Sequence, residues 1–143
     1  MQDLDIGVRD RIDELFIQSA HAMKNGDIHL AVKLAEQAWY KFPEPKFDWD
    51  VSKSFTHALA ETYRDAKMYG KALAVMQSLF DSGTVLDYQD QPRFTLATIY
   101  YHQGNFIEAK KWFGIADKIS KGRCFREEPQ EYFKFYKSNK PSL

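Results

Sequence analysis

Side chains that could hold a metal ion or act as a nucleophile are few in this sequence, and their spacing completes no catalytic pattern. The histidines are His21, His29, His57 and His102. No pair of them has metal-ligand spacing with a second carboxylate or a cysteine. Cys124 has Arg123 and Arg126 beside it, and we expect these two guanidinium groups to lower the pKa of its thiol. No base accompanies this cysteine, so a nucleophilic role is not predicted.

Two other kinds of site are also incomplete. Asp48 and Asp50 flank Trp49, but no calcium-binding loop with a closing Glu follows them. The sequence has no Gly-rich loop that would cradle a phosphate. We therefore predict that the protein is not an enzyme and that it has no catalytic residues, no metal and no cofactor.

The composition indicates a globular chain without a strong charge preference. Of 143 residues, 44% are hydrophobic and 28% are charged, and twenty basic side chains balance twenty acidic ones. A neutral chain is not drawn to nucleic acid or to anionic membranes, so we predict neither as a partner. Residues 1–50 hold ten acids and six bases, whereas residues 110–140 hold nine bases and four acids. This asymmetry is either uneven solvated surface or a basic end that meets an acidic partner.

The amino-terminal sequence and the single cysteine predict a cytoplasmic protein. Cys124 is the only cysteine, so no internal disulfide can form, which is typical of a reducing compartment. The first residues, MQDLDIGVRDRIDELF, contain five acids and no apolar segment of the kind that a secretory signal needs. No run of the sequence approaches the roughly 18 apolar residues that a transmembrane helix needs.

One spacing pattern occurs three times along the chain and predicts paired helices. The copies are KNGDIHLAVKLAEQA (24–38), KMYGKALAVMQSL (67–79) and HQGNFIEAKKWFGIA (102–116). A column of small residues precedes each copy, and a second small column lies within it: Ser19, Ala60 and Ala97, then Ala31, Ala72 and Ala109. Small side chains allow two antiparallel helices to approach closely, so we expect Ala31 to face Ser19, Ala72 to face Ala60 and Ala109 to face Ala97. The copies are 41 and then 37 residues apart, with the extra length in the loops 43–50 and 81–90.

The helix ends carry recognisable signals. Ser52 and Asp90 are predicted N-caps, and Pro92 lies in a first turn, where its missing N–H has no cost. Gly26 and Gly104 fall between paired helices, where a left-handed backbone favours glycine. Lys67 replaces glycine in the middle copy, so we expect that turn to be built differently.

The repeated small and aromatic columns resemble the tetratricopeptide repeat (TPR), a helical hairpin in which a small residue meets Ala across the pair. The repeats are degenerate. Pro43 ends the first unit as in the family, but Thr84 and Lys121 replace the other two prolines, and Leu15, Thr56 and Arg93 replace the leading Trp. The resemblance implies one all-α domain over residues 1–143, built as a right-handed α-α superhelix of three TPR-like hairpins. Their predicted bounds are about 12–45, 53–86 and 90–123, followed by a capping helix over about 127–138.

The resemblance also implies which surface binds a partner. In this family the first helix of each hairpin lines the concave side of the superhelix, which holds a protein segment. The partner-binding residues predicted in this way are Phe16, Met23, His57, Glu61, Arg64, Phe94, Tyr101 and His102.

The carboxyl-terminal segment is predicted to cover the end of the third hairpin through Tyr132, Phe133 and Tyr136. Phe135 would point away from that face, either onto residues 122–126 or towards a partner. The sequence therefore predicts a non-catalytic module that binds one protein or peptide partner through its groove or its aromatic end, as an adaptor or assembly factor. Its alternatives are an immunity protein that neutralises a cognate toxin and a secretion chaperone. The sequence assigns no oligomeric state.

Overall fold

The computed structural model describes residues 1–138, and the part of the chain that it describes is built from helices. The helices are α1 (Ile6–Lys24), α2 (Ile28–Lys41), α3 (Ser52–Asp65), α4 (Tyr69–Asp81), α5 (Gln91–Gln103), α6 (Phe106–Ser120) and α7 (Gln130–Lys137). A short 3₁₀ helix, Arg123–Phe125, joins α6 to α7. Within residues 1–138 there is no β-strand, only an isolated bridge between Gln2 and Trp49. The prediction of an all-α fold made of helical hairpins is therefore confirmed.

Contacts between residues divide the chain into two compact units, Met1–Thr84 and a second that begins at Val85. The first unit holds the hairpins α1–α2 and α3–α4, and the second holds the hairpin α5–α6 with α7. The superhelix and the single domain over residues 1–143 stay predictions, and the last five residues of that domain lie outside the described part.

The three hairpin turns share one backbone geometry. The N–H groups of Asp27, Met68 and Asn105 each donate to the carbonyl five residues earlier, at 2.9, 2.8 and 2.9 Å. The residue before each of these donors is left-handed, with φ of 82° at Gly26, 62° at Lys67 and 89° at Gly104. The prediction of a different middle turn is wrong. The exposed Lys67 adopts the conformation of the glycines because the turn satisfies carbonyls at the end of α3.

Side-chain caps differ among the hairpins. Asp27 accepts from the N–H of Leu30, and Asn105 accepts from the N–H of Glu108, at 3.2 and 3.4 Å. Met68 occupies the same column in the middle hairpin and offers no cap. Asp90 is at the N-cap of α5 but makes no side-chain cap bond, although Pro92 does lie in the first turn.

Ser52 forms hydrogen bonds within the preceding loop and does not cap α3, so the prediction of Ser52 as an N-cap is wrong. The N-cap of α3 is Val51, and the Ser52 hydroxyl accepts from the N–H of Trp49 and donates to the carbonyl of Lys46. The Lys46 ammonium in turn donates to the carbonyls of Trp39 and Phe42 at the end of α2. The loop that lengthens the first repeat therefore serves as the cap of α2.

The small residues lie at the helix crossings. Ser19 is 1% exposed, and its hydroxyl donates to the carbonyl of Ala31 at 2.6 Å, as the repeat pattern predicts for the first hairpin. The other members of both columns have no exposed surface: Ala60, Ala72, Ala97 and Ala109. Each would meet neighbouring atoms if enlarged, because a close helix crossing leaves no space for further methylene groups.

Helix α7 packs on the third hairpin through Tyr132 and Tyr136, as predicted, but with Phe135 in place of Phe133. Tyr132 is 4% exposed, and it shares a helix face with Phe135 and Tyr136. The Phe135 ring lies 4.9 Å from that of Tyr101, so this side chain points onto the hairpin and not away from it. Phe133 is instead 45% exposed. Helical spacing does not distinguish the two faces, because positions 132, 133 and 136 and positions 132, 135 and 136 each lie within about 100° of one another; the contacts of the Phe135 ring with Tyr101 and Phe106 do.

Candidate functional site

A groove between α1 and α3 of the first unit has a volume of about 400 Å³. We name it the α1–α3 groove. It is lined by small, apolar and charged side chains: Phe16, Ala20, Met23, Lys24, Ala58, Glu61, Thr62, Arg64 and Asp65. Four of the predicted partner-binding residues, two from each helix, therefore line the same space.

Helical spacing explains how two separate stretches of sequence form this groove. Positions 20, 23 and 24 lie four, seven and eight residues after position 16, which places all four on one face of α1. Positions 61, 62 and 65 lie three, four and seven residues after position 58, which places all four on one face of α3. Phe16 is held against Phe55, with ring centroids 5.6 Å apart, whereas Ala20 and Ala58 leave the middle of the groove empty of side chains. Small residues at the centre and larger ones beside them therefore create the hollow.

Charges of both signs lie at one end of the α1–α3 groove. The Nε atom of Arg64 donates to Asp65 at 2.9 Å, and its Nη1 atom lies 3.8 Å from a carboxylate oxygen of Glu61. The Arg64 side chain is 13% exposed, whereas those of Glu61 and Asp65 are 48% and 44% exposed. The two acids pair with the guanidinium, and their side chains stay about half exposed beside the groove, where carboxylates can accept hydrogen bonds from a partner.

His57 belongs to the core of the first unit. It is 6% exposed and does not line the groove, and its Nδ1 atom lies 2.6 Å from the carbonyl oxygen of Lys53. A ring nitrogen at that distance from a carbonyl must carry the proton and donate it. This predicted binding residue therefore has a structural hydrogen bond and offers almost no surface to a partner.

The predicted residues of the second unit contact α7, although only Phe94 is buried, Tyr101 is partly buried and His102 stays exposed. Phe94 is 6% exposed, and its ring lies 5.9 Å from that of Tyr132. The Tyr101 hydroxyl donates to Glu131 at 3.1 Å, and a ring nitrogen of His102 lies 2.8 Å from the hydroxyl of Tyr132. Helix α7 therefore occupies part of the surface at which Phe94, Tyr101 and His102 were expected to hold a partner.

Tyrosine hydroxyls fix α7 in this position. Burial raises the pKa of Tyr101 and that of Tyr136, and hydrogen bonds to carboxylates raise both further. The carboxylates are Glu131 for Tyr101 and Asp117 for Tyr136, the latter at 2.9 Å. Both phenols thus stay protonated donors well above neutral pH, because losing the proton would place two negative charges side by side.

The environment of Cys124 is opposite to the expectation from its neighbours in the sequence. Burial has the largest influence and raises the pKa of the thiol; the hydrogen bond with the Ser120 side chain opposes it, and the charges of Asp90 and Asp117 raise the pKa by smaller amounts. Arg123 and Arg126 are exposed, where water screens their charges. The predicted lowering of the Cys124 pKa is therefore wrong, and the thiol is not activated.

Sequence reasoning missed some residues that shape the surface. Ala58 and Thr62 line the α1–α3 groove, and their spacing from Glu61 and Asp65 would have identified them.

In residues 1–138, no group of three or more His, Cys, Asp or Glu side chains is placed to hold a metal ion. Nor does that part of the chain contain a helix with the length and apolar character needed to cross a bilayer.

Comparisons with protein-family models, with curated proteins and with solved structures gave no match to this chain. The evidence on function therefore comes from the site itself.

Proposed function

We propose that the protein is a non-catalytic interaction module that binds a segment of one partner protein in the α1–α3 groove. The observation that carries this proposal is that four residues predicted to face a partner, Phe16, Met23, Glu61 and Arg64, line one accessible hollow. The resemblance of the sequence to TPR proteins, which hold protein segments on this face of the first helices, supports the same role. A TPR-like superhelix and a cytoplasmic location are part of the proposal.

The groove chemistry suits a segment with one apolar side chain and nearby polar groups. Phe16 and Met23 provide apolar surface, and burial of one Leu-sized side chain against them would contribute about 1.5–3 kcal/mol. The exposed oxygens of Glu61 and Asp65 would accept hydrogen bonds from main-chain N–H groups or from a basic side chain. Lys24, on the opposite helix, would meet an acidic residue of the segment.

The experiment is to block the groove without disturbing the core. Ala20 is exposed in the middle of the groove, so Ala20→Arg fills the hollow while the neighbouring helix crossings stay intact. Tyr40→Arg is the matched control, because Tyr40 is 88% exposed on α2. We expect affinity capture from cell extract to yield a partner whose binding Ala20→Arg weakens at least about tenfold while Tyr40→Arg leaves it unchanged.

Two results would decide between the roles that the sequence leaves open and test the groove itself. One stoichiometric partner with nanomolar or tighter affinity favours a toxin neutraliser or a secretion chaperone, whereas several weaker partners favour an adaptor. Equal capture by the wild type and Ala20→Arg, with unchanged melting temperatures, would contradict the α1–α3 groove as the binding site.

A further inference from the structure

The outer side of the first hairpin carries an apolar hollow that is separate from the α1–α3 groove. Its volume is about 490 Å³, and Ile17, Leu30 and Leu34 provide its apolar lining. Ile17 is 55% exposed and Leu30 is 40% exposed, which is high for aliphatic side chains grouped on one surface. We name this surface the α1–α2 hollow.

Acidic residues accompany the α1–α2 hollow. Asp10, Asp13 and Glu14 are exposed on α1 at seven, four and three residues before Ile17, so they share its helix face. Glu14 also lines the hollow itself. The unit that contains it, residues 1–84, has thirteen acids and ten bases. The hollow is therefore an apolar surface with three carboxylates on the same face of α1 and with His21 in its lining.

The second unit carries a patch of the opposite character, formed by Phe133 and the bases around it. Phe133 is 45% exposed and rests on the ring of Phe125, with centroids 5.3 Å apart, so the exposed ring is held in place from below. Lys134 and Arg126 line a hollow beside Phe133, together with Glu128, and the Lys137 ammonium lies 5.7 Å from the centre of the ring. We name this surface the Phe133 patch.

We propose that copies of this chain associate head to tail, with the Phe133 patch of one copy seated in the α1–α2 hollow of the next. The apolar ring meets the apolar lining, and Arg126, Lys134 and Lys137 meet Asp10, Asp13 and Glu14, so the two surfaces complement each other in polarity and in charge. The two surfaces differ, so the contact is heterologous and leaves one unused surface at each end of a pair. Copies therefore add to one another until a ring closes, or they form an open chain. The contact uses no residue of the α1–α3 groove.

The test measures the mass of the purified full chain by sedimentation equilibrium over a range of concentrations. The wild type is expected to exceed its 16.7 kDa monomer mass as concentration rises, and to do so less at high salt, because the contact includes opposite charges. Ile17→Lys and Phe133→Glu should each stay monomeric. Ile107→Lys and Tyr88→Glu are the matched controls, since these side chains are 78% and 72% exposed elsewhere, and both should associate like the wild type.

Mixing the two defective variants gives the sharpest result. Ile17→Lys keeps its Phe133 patch and Phe133→Glu keeps its α1–α2 hollow, so an equal mixture should form a species of twice the monomer mass and nothing larger. All four substituted side chains are exposed, and circular dichroism checks that each variant is folded. A wild type that stays monomeric up to about 1 mM, or a mixture of folded variants that forms no pair, would overturn the proposal.

Discussion

The face of α1 that lines the α1–α3 groove and the matching face of α5 have equivalent positions in the repeat but opposite surroundings. Phe16, Ala20 and Met23 of α1 line an open groove against α3. The corresponding residues of α5 are Phe94, Thr98 and Tyr101, of which Phe94 is 6% and Thr98 is 1% exposed, and Tyr101 packs on Phe135 of α7. The same column of the repeat is thus a candidate binding surface in one unit and covered core in the other.

The neighbouring helix accounts for this difference. Helix α3 presents Ala58, Thr62 and charged side chains to α1, and these leave a hollow of about 400 Å³. Helix α7 presents the rings of Tyr132 and Phe135 to α5, and they fill the equivalent space. A repeat pattern therefore identifies which face of a first helix looks towards its neighbour, but the side chains of that neighbour decide whether a partner can enter.

The largest expected effect on stability comes from removing the buried Tyr132 ring of the second unit. Tyr132→Ala removes a side chain that is 4% exposed and packs on Phe94 and Phe113, so the free energy of unfolding should fall by about 3 kcal/mol. Phe133→Ala is the control on the same helix, and its cost should stay below about 1 kcal/mol because the ring is 45% exposed. Urea unfolding of the two variants measures both values, and equal costs would contradict the described orientation of α7.

A second pair of variants tests the two equivalent positions directly. Thr98→Leu enlarges a side chain that is 1% exposed and loses its hydroxyl bond to the carbonyl of Thr95, so it should destabilise the protein by about 1–3 kcal/mol. Ala20→Leu places the same side chain in the open groove and should change stability by no more than about 0.5 kcal/mol. A larger loss for Ala20→Leu than for Thr98→Leu in thermal unfolding would reverse the comparison.

Substitutions in the hairpin turns should have smaller effects on stability, and they test whether the turns share one geometry. Lys67 has the left-handed backbone that Gly104 adopts without a Cβ, so Lys67→Gly should stabilise the protein by about 0.5–1 kcal/mol. Gly104→Ala should destabilise it by about 1 kcal/mol for the same reason. Melting temperatures that moved in the same direction for both variants would be inconsistent with a shared turn geometry.

Alkaline pH should weaken the packing of α7, with an effect that depends on two hydroxyls. The pKa values of Tyr101 and Tyr136 are raised above 10.0 in the folded protein, so their contribution to stability is complete below pH 10 and is lost as pH rises through the folded values. The double variant Tyr101→Phe, Tyr136→Phe should therefore show a shallower loss of stability in this range. Tyr63 of the first unit also has a pKa that is raised by burial and by Glu36. Its contribution to the pH dependence of stability is the same in the wild type and in the double variant. Identical pH profiles of stability would argue against these bonds.

The helices and their crossings could be predicted because they depend on local spacing. The columns of small residues predicted the Ser19–Ala31 contact, and Gly26 and Gly104 predicted the positions of their hairpin turns. The Lys67 turn could not be predicted, because a lysine with positive φ is stabilised by the hydrogen bonds of its surroundings and not by its own preference.

The binding face could be predicted only in part. Phe16, Met23, Glu61 and Arg64 line the groove as their helix positions suggest. Aromatic residues occupy four of the five positions from 132 to 136, so periodicity alone did not tell which of them face the hairpin. The contacts of Phe94, Tyr101 and His102 with α7 depend on that orientation, as does the exposure of Phe133.

Thiol labelling tests the difference between the open and the covered face most directly. In a Cys124→Ser background, Ala20→Cys and Thr98→Cys place single thiols at equivalent positions of α1 and α5. We predict that the thiol at position 20 reacts at the rate of an exposed cysteine and that the one at position 98 reacts at least about a hundredfold more slowly, because the buried site of Thr98 must first open. Equal labelling rates in folded proteins would contradict the account.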